Sequence, residues 1–536
     1  MLFASTLLLA TASLASLAQS ASVESRGKGK GKGHSSGGPC AAPSSYASVS
    51  KCNGEKYTYQ RLAGYGWVAA AAQDKYNDTM SIGSSIAISD WQKGDDGYTA
   101  VFWGLPDRGW NTKGTLNYQP RVHKFAITFT PVEDATADNP SDPNLEFEYL
   151  DTILLTDPEG NPTTALDPDI TGGMEIDGFP LLPAATYPGD GFGGDGAGGF
   201  RVSLDPEGIF LADDGGFWIS DEYGPGIYQF NSGGKMIDSI RTVEALIPYR
   251  NESESFSSGN APIYDEERVY SPEDPDHGRN NNQGFEGLTV SPDGKTLYVL
   301  LQSAAMQEGG SKSSKRRHVR FLIYDLERRN KGGLKAEYVV ELPTYVNGEG
   351  DSKVASQSEI HFVSETQFMI LPRDSNAGRA LEYNESKIRH VDIFDISDAT
   401  NILGLYDDAT DSIETETVGE LRSDITPALN CPFVDFNNNT ELARFGLHNG
   451  SPDNDGLLNE KWEGLALLPV NSDGGVVKDK ENEYYLFAAS DNDFITDDGY
   501  MDFGRLPFSE GLGIEVRQQV LVFKVKLPKG SKPLIG

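Results

Sequence analysis

Four glutamates open runs of residues that otherwise read as core strands. Glu207, Glu286 and Glu463 are each followed by glycine and a large aliphatic residue, and Glu359 is followed by Ile360. An unpaired carboxylate is too costly to bury in a closed apolar core. Carboxylates brought together from separate segments also repel, unless a cation joins them or some stay protonated. Oxygen donors without thiolates suit Ca2+ first and Mg2+ second. Further polar residues fall just past the β-rich runs: Asp107 and Arg108, Asp221 and Glu222, Gln302 and Ser303, Arg373 and Asp374, and Asp491, Asn492 and Asp493. Arg108 and Arg373 could grip a phosphate or carboxylate through two parallel hydrogen bonds.

The chemistry this pattern suits is calcium-assisted hydrolysis of a phosphomonoester. Glu207, Glu286, Glu463, Asp221 and Asp491 are the expected cation ligands or general base. Glu286, Glu207 and Glu463, with Arg373 and Arg108 orienting the phosphate, are the expected catalytic set. A metal-dependent esterase or lactonase would need the cation but no phosphate clamp. A non-catalytic extracellular binding platform would need neither, with each Glu capping backbone amides and each Arg in a salt bridge. His361, beside Glu359, is read as a packed or surface histidine rather than a base.

These residues need a scaffold that brings strand ends together, and the chain carries one in repeated form. Glu286-Gly287-Leu288 leads through the Ser291-Pro292-Asp293-Gly294 turn into LYVLLQSA. DPEGIFLADDGGFWISDEYG, SEIHFVSETQFMILPRD and KWEGLALLPV with YYLFAASDND repeat that hairpin, and SSIAISDWQKGDDGYTAVFWGLPDRG does so without the leading Glu. Outer strands such as GIYQF, RFLIYDL, HVDIFDIS and VLVFKVKL follow. Such units imply an all-β fold, a β-propeller whose inner strands converge on an axis. Five units are visible, and with residues 125–200 supplying one more blade the expected count is six, seven being the alternative. The 79 and 73 residues separating Glu207, Glu286 and Glu359 require long insertions, since compact blades take roughly 40–50 residues.

The 45 Lys and Arg against 80 Asp and Glu give a formal charge of -35, which excludes an electrostatic grip on nucleic acid or an anionic membrane. Residues 1–20 read as a secretory signal peptide and 21–39 as a disordered Gly/Lys/Ser-rich linker, leaving 40–536 as one propeller domain, secreted and monomeric. Gly33-His34-Ser35-Ser36-Gly37 matches a nucleophile elbow formally but lies in that linker with no strand before it. Sequons at Asn77, Asn251, Asn384, Asn438 and Asn449 fit a glycosylated surface. Of the three cysteines, Cys40 and Cys52 are expected to pair, with Cys431 left as a small buried hydrophobe.

GGFRVSLDPEGIFLADDGGFWISDEYGPGIYQF, NNQGFEGLTVSPDGKTLYVLLQSA and KWEGLALLPV with the later AASDNDF resemble, in this order, the phytase-like family, also described as esterase-like activity of phytase. The resemblance runs from about residue 60 to residue 527. It implies a propeller and a secreted phosphoester or ester hydrolase acting on a small molecule. The local signatures of the calcium-dependent propeller phytases are not found, so no ligand set is carried over.

Overall fold

The short β-branched and aromatic runs pair with their chain neighbours into antiparallel sheets. A computed structural model describes residues 47–328, 333–473, 476–477 and 482–536; the expected signal peptide, the linker and Cys40 lie outside them. The first sheet contains Ser85–Lys93, Tyr98–Leu105, Arg121–Phe129 and Leu145–Leu154. The second contains Pro206–Leu211, Phe217–Asp221, Gly226–Phe230 and Met236–Arg241. Phe285–Val290, Thr296–Leu301, His318–Asp325 and Leu334–Glu341 form the third, and Ser356–Phe362, Gln367–Arg373, His390–Asp395 and Leu429–Asp435 the fourth. The fifth orders Trp462–Pro469, Glu483–Ser490 and Gln518–Lys526, and takes its outer strand, Glu55–Val68, from the other end of the chain.

The first strand of each sheet is its inner one. These inner strands pack first on second, second on third, third on fourth, fourth on fifth and fifth on first. The arrangement is propeller-like. Strand Glu55–Val68 pairs antiparallel with Gln518–Lys526, so the two ends of the described chain share one sheet. A single parallel bridge from Gly66 to Leu145 joins that sheet to the first. Inner strands such as Phe285–Val290 and Trp462–Pro469 are buried along their whole length, which accounts for their nearly continuous apolar sequences.

Three of these groups are separate four-stranded sheets, while the first and fifth are continuous through the Gly66–Leu145 bridge in one nine-stranded sheet. Residues 125–200 complete the first sheet through Arg121–Phe129 and Leu145–Leu154 and otherwise add only one strand pairing, Ala184–Tyr187 with Gly199–Val202. The expected Cys40–Cys52 bridge is also corrected, because Cys52 is bonded to Cys431 across 379 residues of chain, with Cα atoms 5.6 Å apart. Strand Ser48–Cys52 lies against the outer strand of the fourth sheet, so sheet packing rather than nearness in sequence selects the partner. Of the sequons, Asn77 and Asn251 are exposed at positive-φ turns, whereas the Asn449 amide donates to the Ser386 carbonyl at 3.0 Å.

A buried ion pair ties the third sheet to the long connection of the fourth. His318 Nδ1 lies 2.7 Å from Glu414 Oε1, and its Nε2 lies 3.3 Å from Glu341 Oε1. Burial alone would lower the imidazole pKa, but the hydrogen bonds to the two carboxylates outweigh it and raise the pKa to about 9. A raised histidine pKa contributes its full stability below the unfolded value of 6.5 and loses it as pH climbs through about 9. The contribution is on the order of 2–3 kcal/mol. His318→Gln should therefore lower the thermal midpoint clearly at about pH 6 and approach wild type near pH 10; an equal deficit at both pH values would contradict the ion pair.

Candidate functional site

The inner strands reveal why a strand bound for the core begins with glutamate. The pairing of inner with second strand shifts between Phe285 and Leu288, between Gln357 and Ile360, between Trp462 and Gly464, and opposite Ser220 and Asp221. Each shift is a β-bulge, which frees a residue from the ladder and re-aims its side chain. Glu207, Glu286, Glu359 and Glu463 all sit at these bulges. The glycine that follows answers a different demand. A Cβ on Gly208 would come within 2.6 Å of the Glu286 carbonyl oxygen, and one on Gly287 within 2.7 Å of the Ile360 nitrogen. Glu positions a carboxylate, and Gly lets the neighbouring inner strand approach it.

Glu359 is a structural tie. Its Oε1 accepts from the Leu288 and Ile360 amides at 3.1 and 2.8 Å, and its Oε2 accepts from Ser85 Oγ at 2.6 Å. Ser85 Oγ in turn accepts from the Ile209 amide at 3.2 Å. One carboxylate thus links the inner strands of four sheets, and burial raises its pKa against the pull of these bonds. Two of the expected cation ligands are also structural. Asp221 accepts from the Asp205 and Gly224 amides at 2.8 and 2.7 Å. Asp491 accepts from Ser81 Oγ, Ser84 Oγ and the Asp493 amide at 3.0, 2.9 and 2.7 Å.

Among the described residues Asp205, Glu207 and Glu222 form a group that could hold a cation, each offering an oxygen within 4.8 Å of the others. Asp205 and Glu222 are 1% and 0% exposed, and no carboxylate oxygen of either has a hydrogen-bond partner. The amide of Glu222 donates to the Asp205 carbonyl at 3.0 Å, so the backbone holds the pair together. Oε2 of Glu286 and Oε2 of Glu463 are likewise buried without partners. Burial first, and then the charges of Glu286, Asp205, Glu222 and Glu463, push the Glu207 pKa well up. Burial, followed by the Asp205 charge, raises that of Glu222 to about 8. Arg279, from the insertion between the second and third sheets, donates to the Tyr223 carbonyl at 2.8 Å and anchors that insertion beside the cluster.

Cations ring the cluster without neutralising it. Arg108 Nη1 lies 3.4 Å from Asp205 Oδ2. Arg373 Nη2 lies 2.6 Å from Glu463 Oε1, while its Nε donates to Ser358 Oγ at 3.1 Å. Lys461 reaches Asp493 at 2.8 Å, with Asp107 and Glu463 at 3.8 and 3.9 Å. Arg373 is thus hydrogen-bonded to a carboxylate, whereas Arg108 keeps a buried Nε and Nη1 without a hydrogen-bond partner. His361 lies away from this cluster, lining a cavity of about 770 Å³ formed by the later parts of the inner strands and Leu534. Burial lowers its pKa to about 4, and its Nε2 meets the Leu534 carbonyl at 3.0 Å.

With this geometry in view, the comparisons with known proteins can be placed. Residues 87–494 match the Phytase-like family, described as esterase-like activity of phytase. The chain belongs to this family. An uncharacterized secreted protein of Arthroderma benhamiae is 51% identical over 460 residues, covering 84% of this chain and 90% of that protein. Among solved structures, the catalytic domain of a Coprinopsis cinerea GH62 α-L-arabinofuranosidase covers 88% of this chain and 98% of its own, at 11% identity and a TM-score of 0.30. A luciferin-regenerating enzyme covers 85% and 95%, at 11% identity and a TM-score of 0.26. Among the described residues no helix is long and apolar enough to cross a membrane.

Glu207, Glu286 and Glu463 are where the sequence pattern puts them, at one end of the inner strands. Asp205 is the residue that pattern missed. The signal was a second carboxylate close by in Asp205-Pro206-Glu207, just before the strand Pro206–Leu211. Lys461 likewise precedes Glu463 by two residues. The two kinds of carboxylate should respond oppositely to mutation. Glu359→Ala orphans two buried amides and should destabilise the chain by roughly 2–4 kcal/mol. A buried acid with a raised pKa loses stability as pH rises from its unfolded value through about 8. Glu222→Gln escapes that loss, so with chelator present it should be more stable than wild type at about pH 9, by on the order of 1–3 kcal/mol, and near parity at about pH 5. Denaturant unfolding at the two pH values checks both signs.

Proposed function

We propose that this protein is a secreted hydrolase of phosphomonoesters, assisted by a divalent cation and built on a five-bladed propeller. The observation that carries the reading is the group Asp205, Glu207 and Glu222, buried and close together, with the carboxylate oxygens of Asp205 and Glu222 free of hydrogen bonds. Its donors are all oxygen and several are anionic, which fits Ca2+ first and Mg2+ second. Oε2 of Glu286 and Oε2 of Glu463 would complete the coordination or hold an attacking water. Bound there, a cation would polarise a substrate oxygen and lower the pKa of a nearby water.

The chain's own residues supply position and charge. Asp221 fixes the turn that presents Asp205 and Glu222 through its two backbone hydrogen bonds. Gln302 donates to Glu286 Oε1 and leaves Oε2 as that side chain's reactive atom. Lys461 and Arg373 offset part of the negative charge around Glu463. Export is supported by the apolar N-terminal stretch and by the secreted relative.

A second reading, hydrolysis of a carboxylic ester or lactone, is favoured by the ion pairs that occupy Arg108 and Arg373. Phosphate release from phytate and an aryl phosphate, beside cleavage of an aryl ester, with calcium added or chelated, separates the two. The expected result is cation-dependent phosphate release that falls roughly 100-fold or more in Glu207→Gln. Ester cleavage alone would favour the second reading. Inactivity on all substrates with every cation would leave a binding platform.

A further inference from the structure

Arg108 and Arg373 each lie within ion-pair distance of a carboxylate, so a further cation beside them would add to any recognition of an anion. Arg316 is placed to supply it. It lies in the connection from Thr296–Leu301 to His318–Asp325, which leaves the third sheet at the same end as Gln302 and Ser303. Its Nη2 is 3.5 Å from Ser356 Oγ, and Ser356 is the cross-strand partner of Arg373. Among the described residues no carboxylate is within ion-pair distance of Arg316, and its buried Nε has no hydrogen-bond partner. The Ser303 hydroxyl is also buried and unpartnered.

A half-buried guanidinium beside a second guanidinium is electrostatically costly. Burial first, and the charge of Arg373, depress its pKa, with Tyr345 opposing. Buried Arg250, Arg279 and Arg389 also lack a carboxylate at ion-pair distance, but they donate to carbonyl oxygens at 2.9, 2.8 and 2.9 Å, whereas the Arg316 guanidinium has only its 3.5 Å contact with Ser356. We infer that Arg316, with Ser356 and Arg373 beside it, binds an anionic group of the substrate, a phosphate or carboxylate oxyanion. The planar Arg316 fork would take two oxygens of that group, and Ser356 Oγ could donate to it. This inference rests on the hydrolase reading for the identity of the ligand as substrate, but not for the binding itself.

The test titrates the purified protein calorimetrically with inorganic phosphate and, separately, with acetate, at fixed ionic strength, with calcium present and with chelator. Wild type, Arg316→Gln and Arg316→Lys are compared, each with its unfolding midpoint. Anion binding that persists in chelator, weakens 10-fold or more in Arg316→Gln and is partly kept in Arg316→Lys is expected. The stronger of the two anions identifies the group as phosphate or carboxylate. Unchanged binding in folded Arg316→Gln, or no binding of either anion by wild type, overturns the inference. Binding that is lost on chelation but indifferent to Arg316 also overturns it, while leaving the hydrolase reading intact. Arg316-dependent binding by a protein that hydrolyses nothing would instead sink the hydrolase reading alone.

Discussion

The Glu359 carboxylate is the contact on which the geometry of the axis depends. From the fourth sheet it holds the Leu288 amide of the third and the Ser85 hydroxyl of the first, which in turn takes the Ile209 amide of the second. Bulges and close glycine contacts leave backbone amides around the axis unpaired within their own ladders. A carboxylate with two acceptor oxygens satisfies several of them at once, where an apolar side chain would satisfy none. Burial penalises its charge, yet the bonds it accepts leave it no oxygen to spare.

That saturation sorts the acids of the axis into two kinds. Glu359, Asp221 and Asp491 spend both oxygens on the protein. Asp205 and Glu222 spend none on hydrogen bonds, and Glu286 and Glu463 each keep one oxygen free. The second kind destabilises the chain wherever it is ionised, because like charges lie together in a poorly solvated place. Such stored repulsion is what a cation site requires before the cation arrives. Arg108, Arg373 and Lys461 temper it.

The surroundings of the cluster come from the long insertions. Arg279 reaches the Tyr223 carbonyl from the insertion after the second sheet, and Arg316 comes from the connection within the third. His318 pins the third sheet to the long connection of the fourth. The sheets supply the acids, whereas the connections determine what may approach them. The irregular segments thus frame the cluster, an arrangement common where loops sit on a rigid scaffold.

The sequence by itself determined the all-β class, the repeated hairpin and the convergence of Glu207, Glu286 and Glu463, because alternation and turn chemistry are local properties. It could also have yielded Asp205, which precedes Glu207 by two residues. Only the tertiary structure decided the rest. The number of sheets depends on which outer strands join which inner ones, and the first sheet recruits strands from a region with weak pattern. Cys52 finds Cys431 because two strands meet in space. Whether an acid is a tie or a ligand, and whether an arginine is paired or free, depends on atoms from other sheets within about 3 Å. Hydrogen bonding at that range is specified by packing, and residue spacing along the chain does not encode it.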